Sequence, residues 1–545
     1  MSVERYISIC GGISNIQRVL APHDKLIFTV RDNRLVSDSE SIVLLENVQG
    51  EVQVTFIRPN NIETDELLSI GRLIESQQRE HMAPFLPALM CPYRPNWHVS
   101  PPQGLLNDPN GFIYHNGEYH LFYQWYPYAC EHKDKHWVHL TSSDLINWHW
   151  QSVALTPSDW FDSHGVFSGH ALSHNGELML FYTGNVRIGQ QRERHTTQCL
   201  ATSTDGRQFT KRGPVIDAPP LGVTAHIRDP KVLRNQDQWM MLLGAQTAEL
   251  NGRLAVYRSD DLYQWQFDGL YGDEFGSFGY MWECPDMFEL DGQTLVVIGP
   301  QGIDSPSKYH NVPHHNGIAK AKWDNDTHFS LTEFEHLDHG FDFYAPQTLL
   351  TPDGRRIMCA WMGLPDEIDQ PSVESGWLHQ LTAMRELTLK QGKLIQWPAN
   401  EIDRLCQPAQ TILLSDKPHR LENNAFDMTI ELEWGDKLCL FAGENQRLTL
   451  EAQVENRRLV MDRSQTLNRS GDKLRELHLD GDRVQLRILA DTSSIEVFVN
   501  GGEAVMTSRV FVEPSSTGIS LIGVPRIAQI RAINKSTEPF SLPVV

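Results

Sequence analysis

The sequence predicts an all-β chain: a five-bladed β-propeller, then a C-terminal β-sandwich, with a small N-terminal extension of short strands plus a helix. Three observations predict it. A unit of apolar strand, polar or glycine turn and stronger apolar strand recurs five times between residues 92 and 395. An acidic turn with an aromatic closing the unit trails the second strand. Residues 410–545 alternate in short strands. A period of roughly 60 residues with several strands per unit marks radially repeated sheets rather than one sandwich.

A chain of 545 residues buries sizeable cores and holds more than one domain. With 69 acidic against 47 basic residues, the formal charge of −22 argues against a nucleic-acid or anionic-membrane partner. Glu4 and Arg5 stand where a signal peptide would be apolar, and no apolar run is long enough to cross a bilayer. The eight cysteines are dispersed with no Cys-x-x-Cys pair, so neither a disulfide scaffold nor a zinc site is expected. The expectation is a reduced, cytoplasmic protein.

Residues 1–60 carry strand-like runs at Leu26–Val30, Ile42–Leu45 and Val52–Ile57, an extension to which the sequence assigns no chemistry. Residues 61–91 read as a helix and linker: Thr64 as N-cap, Asp65 and Glu66 in the first turn, Leu67, Ile70 and Ile74 on one face, then Pro84 and Pro87.

The five units turn at Asn116-Gly117, Asn175-Gly176, Asn235-Gln236-Asp237, Asp291-Gly292 and Asp353-Gly354, strong hairpin signals between apolar runs. Just before each first strand the segments align: Asn107-Asp108-Pro109, Phe167-Ser168-Gly169, Arg228-Asp229-Pro230, Glu283-Cys284-Pro285 and Phe343-Tyr344-Ala345-Pro346. The innermost strand of a propeller blade faces the axis, so this register predicts that three carboxylates far apart in sequence meet in one axial pocket. Residues 396–409 read as a connector with a short helical stretch, and 410–545 as the sandwich, with Asn500-Gly501-Gly502 as a hairpin turn. Asp491 and Glu496 are expected on a solvated strand face.

Paired carboxylates flanking a bond are what glycoside hydrolysis requires: one as nucleophile, the other as general acid and then base. Glu283, between Trp282 and Cys284, is expected to have a raised pKa and stay protonated; Asp108, in a tight Asn/Gly loop, is expected to be ionised, and Asp229 to be kept ionised by its neighbour Arg228. Trp125, Phe167, Trp282, Tyr344 and Trp361 would offer flat faces to a sugar. His132, His136 and His139 enter a strand with Lys133 and Lys135 between them, so no metal site is expected. His310, His314 and His315 read as a loop near the pocket. A phosphorylated sugar would want Arg187, Arg192, Arg194, His195, Lys308 or His310 at the rim, and no spacing selects among them.

Asn107-Asp108-Pro109-Asn110-Gly111, Phe167-Ser168-Gly169, Arg228-Asp229-Pro230, Glu283-Cys284-Pro285-Asp286 and Asp491 to Asn500 resemble the successive signatures of glycoside hydrolase family 32. The resemblance covers residues 62 to 545. It implies a retaining enzyme, free of cofactor and metal, that cleaves terminal β-D-fructofuranosides through a covalent fructosyl-enzyme. Sucrose and sucrose 6-phosphate are the expected small-molecule substrates. It implies Asp108 as nucleophile, Glu283 as acid/base and Asp229 as transition-state stabiliser, with Asn107, Gln124, Trp125, Phe167, Ser168, Arg228, Tyr344 and Trp361 contacting sugar. Leu105-Leu106 stand where many members have Trp-Met, and residues 1–60 have no counterpart in the family core. A fructan hydrolase, a fructosyltransferase and a non-catalytic sugar-binding propeller remain alternatives, and a homo-oligomer is compatible with the chain.

Overall fold

The computed structural model describes residues 3–59, 62–80, 82, 90–303, 314–324, 327–469 and 471–536. Pro84, Pro87, Lys308 and His310 lie outside the described residues. Helices cover only Val3–Ile9, Thr64–Glu80 and short 3-10 turns among the described residues; strands dominate the rest.

Between residues 104 and 398 five antiparallel sheets follow one another, each built from four strands in chain order, with Trp377–Leu378 and Gln380–Leu381 added to the first and last. Their opening strands are Gly104–His115, Val166–His174, Val223–Asn235, Met281–Leu290 and Tyr344–Leu350. Each packs beside the next, and Tyr344–Leu350 packs back against Gly104–His115, so the ring closes as a β-propeller. The hairpin turns are made by the residues the sequence offers. Asn116, Asn175 and Asp291 adopt positive φ (49°, 50° and 49°) before glycines that do the same, as a two-residue turn matched to strand twist demands. The trailing acidic turns are Asx caps: Asp144, Asp205 and Asp261 each accept two backbone N–H bonds from the residues just after them.

Two six-stranded sheets enclose the C-terminal core, in which Phe426, Met428, Leu440, Leu450, Ile488 and Val497 are buried. The strands Arg483–Asp491 and Ser494–Val499 meet the propeller rather than solvent. Asp491 and Glu496, expected to be solvated, are 0% exposed. His98 lies between them, 2.9 Å from Asp491 and 3.1 Å from Glu496, and Arg385 donates twice to Glu496 Oε2 at 3.0 and 2.7 Å. Burial opposes charge on His98, but the two carboxylates outweigh it and raise its pKa; Arg385 and His98 hold Glu496 down at about 2 against its own burial. These partners sit far away in sequence, so alternation within one strand could not reveal them.

The N-terminal extension is a four-stranded antiparallel sheet, ordered Ile16–Leu20, Lys25–Val30, Glu51–Ile57, Ile42–Val48. Its core of Phe28, Val54 and Phe56 is covered by Leu67, Ile70 and Ile74 of helix Thr64–Glu80. Thr64 is the first helical residue and the Glu63 carbonyl accepts the first backbone N–H bonds of the helix, from Glu66 and Leu67, so the cap falls one residue earlier than expected. The helix's other side meets the propeller, where a Cβ on Gly71 would stand 1.8 Å from Asp159 Oδ1; only glycine admits so close a crossing.

Candidate active site

In a regular strand neighbouring residues face opposite sides, yet the site needs neighbours that face the same way. The inner strands solve this with register slips. Pairing shifts between Leu106 and Pro109, Arg228 and Lys231, Glu283 and Asp286, and Tyr344 and Gln347. At three of these slips a non-glycine residue takes positive φ: Asp229 at 66°, Cys284 at 47° and Ala345 at 50°. Each precedes a proline, which lacks the N–H that a continued ladder would use. The slips turn Asn107 with Asp108, and Arg228 with Asp229, into one axial cavity of about 500 Å³ that Glu283, Gln124, Phe167, Tyr344 and Trp361 also line.

Asp108 is oriented by the Ser168 hydroxyl, which donates to its Oδ2 at 2.5 Å, and by the Asn107 amide at 3.2 Å; Asn107 in turn donates to Gln124 Oε1. The Cys284 thiol lies 3.6 Å from both Asp108 Oδ2 and Asp229 Oδ2, which sets the two carboxylates within twice that distance of one another. Asp229 Oδ2 accepts the Cys284 N–H at 2.9 Å. Glu283 is the most heavily bonded of the three. Arg228 donates to its Oε1 from Nε at 2.8 Å and from Nη2 at 2.6 Å, while the Tyr344 hydroxyl and the Gln301 amide each donate to Oε2 at 2.6 Å.

These contacts reverse the expected ionisation. Burial acts to raise Glu283, but Arg228 and the Tyr344 hydroxyl outweigh it and hold the carboxyl below its ordinary range. Burial and the charge of Glu283 instead push Asp229 up to about 7, with Arg228 only partly offsetting them. Asp108 is also raised, by burial first, against the Ser168 hydrogen bond. The Arg228 guanidinium bonds not to its neighbour Asp229 but across to Glu283 on the adjoining inner strand.

Trp125 and Trp282 do not line the cavity. Trp125 falls on the other face of the strand from Gln124, where its indole donates to Gln103 O at 2.7 Å and meets Trp150 edge-on at 5.5 Å. Trp282 is fully buried between sheets, its indole bonded to Phe278 O. Leu105 and Leu106 are buried as well, so the aromatic walls are Phe167, Tyr344 and Trp361, the last two edge-on at 6.0 Å. Of the rim cations, Arg187, Arg192 and Arg194 line the cavity and His195 does not. His314 bonds to Gln301 and to Asp366 at 2.9 Å, behind Glu283.

Sequence reasoning missed Lys135, His132 and Gln301. Lys135 lines the cavity yet is 4% exposed, and its Nζ makes no hydrogen bond to any described residue. Burial lowers its pKa to about 7, with Asp108 and Asp134 favouring its charge. In the sequence it stands only as a lysine between His132 and His136 that argues against a metal site. His132 is pushed down to about 2 by burial and its cationic neighbours, so it is a neutral ring, edge-on to Trp361 at 5.9 Å. Asp403, Cys406 and Asp427 are grouped at cation-binding spacing, but the two carboxylates are ion-paired to Arg487 and Arg531 and the Cys406 thiol donates to Ile402 O.

The chain is similar to known proteins over most of its length. A relative from Psychromonas ingrahamii, described as a probable sucrose-6-phosphate hydrolase, is 55% identical over 99% of this chain and 100% of its own length. A sucrose-6-phosphate hydrolase of Bacillus subtilis is 40% identical over 78% of this chain and 90% of its own. The structure of sucrose-6-phosphate hydrolase from Lactobacillus gasseri superposes with a TM-score of 0.78 at 31% identity, covering 87% of this chain and 97% of that one. Residues 98–398 match the glycosyl hydrolases family 32 N-terminal domain and 401–531 the family 32 C-terminal domain. With both domains matched in order around the axial carboxylates, the chain belongs to glycosyl hydrolase family 32.

Proposed function

We propose that this protein is a retaining β-fructofuranosidase whose principal substrate is sucrose 6-phosphate. The observation that carries the reading is the meeting of Asp108, Asp229 and Glu283 in one cavity whose rim holds Arg187, Arg192 and Arg194. The carboxylates suit a fructosyl carbon and its hydroxyls; the arginines suit a phosphate on the leaving hexose, and the names of the relatives agree with both.

In the first step the Asp108 carboxylate forms a bond to the anomeric carbon of fructose as the glycosidic C–O bond breaks, and Glu283 delivers its proton to the departing glucose oxygen. In the second, Glu283 takes a proton from water, whose oxygen bonds to the anomeric carbon from the face the glucose left as the bond to Asp108 breaks, which releases the Asp108 carboxylate and retains the configuration. Asp229 holds fructosyl hydroxyls. Glu283 must be protonated to begin, yet Arg228 holds it ionised while the cavity is free. Substrate hydroxyls that draw the guanidinium away would restore its pKa, and the neighbouring Asp229, up at about 7, is a proton source at neutral pH. Binding is thereby coupled to arming the acid.

The test compares glucose and fructose release from sucrose, sucrose 6-phosphate and inulin. A KM for sucrose 6-phosphate at least about tenfold below that for sucrose, as a charged pair to Arg supplies about 1.4 kcal/mol or more, supports the reading. Equal KM values would remove the phosphate preference, and faster release from inulin would make the protein a fructan hydrolase.

A further inference from the structure

The family domains begin at residue 98, so the N-terminal sheet lies outside them, yet it touches the cavity wall. Arg18, on strand Ile16–Leu20, is only 8% exposed. Its Nη2 pairs with Asp134 at 2.6 Å, its Nη1 donates to Ser163 O at 2.6 Å, and its Nε meets Glu51 at 3.4 Å. Glu51, on strand Glu51–Ile57, pairs through its other oxygen with Arg192 at 3.3 Å. The result is a chain of alternating charge, Arg192–Glu51–Arg18–Asp134, whose two ends both line the cavity. Around it, Gln190 donates to Glu46 at 2.6 Å, and Leu20 and Ile27 bury Val186 of the arginine-bearing hairpin.

The two ends are different walls. Arg192 sits where strand Glu177–Ile188 turns into Glu193–Ser203, beside Arg187 and Arg194. Asp134 belongs to the segment that carries His132 and Lys135 into the cavity. Glu283, as the acid, must face the departing oxygen, and Arg194 lies within the field of Glu283 and Arg228 while stacking over Phe167 at 5.5 Å. The arginine hairpin therefore lies on the leaving-group side. A hairpin tip in solvent would sample many rotamers; an ion pair to a rigid strand removes that freedom before substrate arrives.

We propose that Arg18 and Glu51 are positioning residues, and that the N-terminal sheet is a specificity element which fixes the leaving-group side of the cavity. The proposal rests on the reading above for Glu283 as the acid, which sets the leaving-group side, and for the phosphate. It is tested in the full-length enzyme with Glu51→Gln, Arg18→Met and the charge-conserving Arg18→Lys. KM for sucrose 6-phosphate and the inhibition constant of glucose 6-phosphate should rise about tenfold in Glu51→Gln and Arg18→Met, with kcat within about twofold and the inhibition constant of fructose unchanged. Arg18→Lys, which keeps the charge but cannot span both contacts, should fall between wild type and Arg18→Met. In an Arg192→Ala background, Glu51→Gln should add nothing further, because its action passes through Arg192. Unchanged constants, or equal rises for glucose 6-phosphate and fructose, would overturn the proposal, as would full additivity of Glu51→Gln with Arg192→Ala. If the wild type treated sucrose and its 6-phosphate alike, the phosphate reading would fall, and a selective rise in the inhibition constant of glucose over fructose would still decide for or against the sheet's role.

Discussion

Replacing Asp229 with Asn should make the protein more stable at alkaline pH while disabling it. Asp229 is 6% exposed, and burial beside Glu283 raises its pKa from the ordinary 3.8 to about 7. The folded state thus binds this proton more tightly than the unfolded state does. The stabilisation is complete below the unfolded value, near pH 4, and is lost as pH rises through about 7. At about 1.4 kcal/mol per unit, the stretch from 3.8 to about 7 amounts to about 4 kcal/mol. An Asn side chain binds no proton, so the free-energy difference between variant and wild type should swing by up to about 4 kcal/mol in the variant's favour between pH 4 and pH 8. Urea unfolding of both proteins across that range measures it. Other groups that titrate there, such as Glu367 at about 7, act in both proteins and cancel. Parallel stability curves would show that Asp229 is ionised in the free enzyme and that burial beside Glu283 does not raise its pKa.

Three further outcomes are expected. Arg228→Gln removes the group that depresses Glu283, so the alkaline limb of the kcat/KM profile should move to higher pH, alongside a loss of activity; an unmoved limb would mean that Arg228 does not set the acid's ionisation. Lys135→Met removes a cation that lowers Asp108, so the acid limb should also move to higher pH, read from the same pH profile. Glu496→Gln strips one carboxylate from the buried cluster with His98 and Arg385 and should cost about 3–5 kcal/mol of unfolding free energy in urea, with KM and kcat of the surviving folded enzyme unchanged.

The sequence made the propeller and sandwich legible because both are written in local chemistry, in Asn-Gly turns and in strands that alternate. The convergence of Asp108, Asp229 and Glu283 on one cavity was legible through repeat register. What resisted reading depends on partners brought together by the fold. Arg228 beside Asp229 suggested a pair, but the register slip sends the guanidinium to Glu283 and inverts which carboxyl holds the proton. Trp125 looked like a sugar platform until the alternation of its strand put Gln124, and not it, in the cavity. Asp491 and Glu496 read as surface because His98 and Arg385 lie hundreds of residues or a whole domain away. Arg18 carried no signal, since its partners Asp134 and Ser163 belong to another domain.

The proposed chemistry requires Asp108 to form a covalent bond to fructose and Glu283 to serve both steps. Mass spectrometry of enzyme quenched in acid during turnover of sucrose 6-phosphate tests it most directly. A hexosyl adduct is expected on the peptide containing Asp108, with its loss in Asp108→Asn and slow formation in Glu283→Gln. Turnover with no adduct in any of the three proteins, or an adduct on another carboxylate, would contradict it.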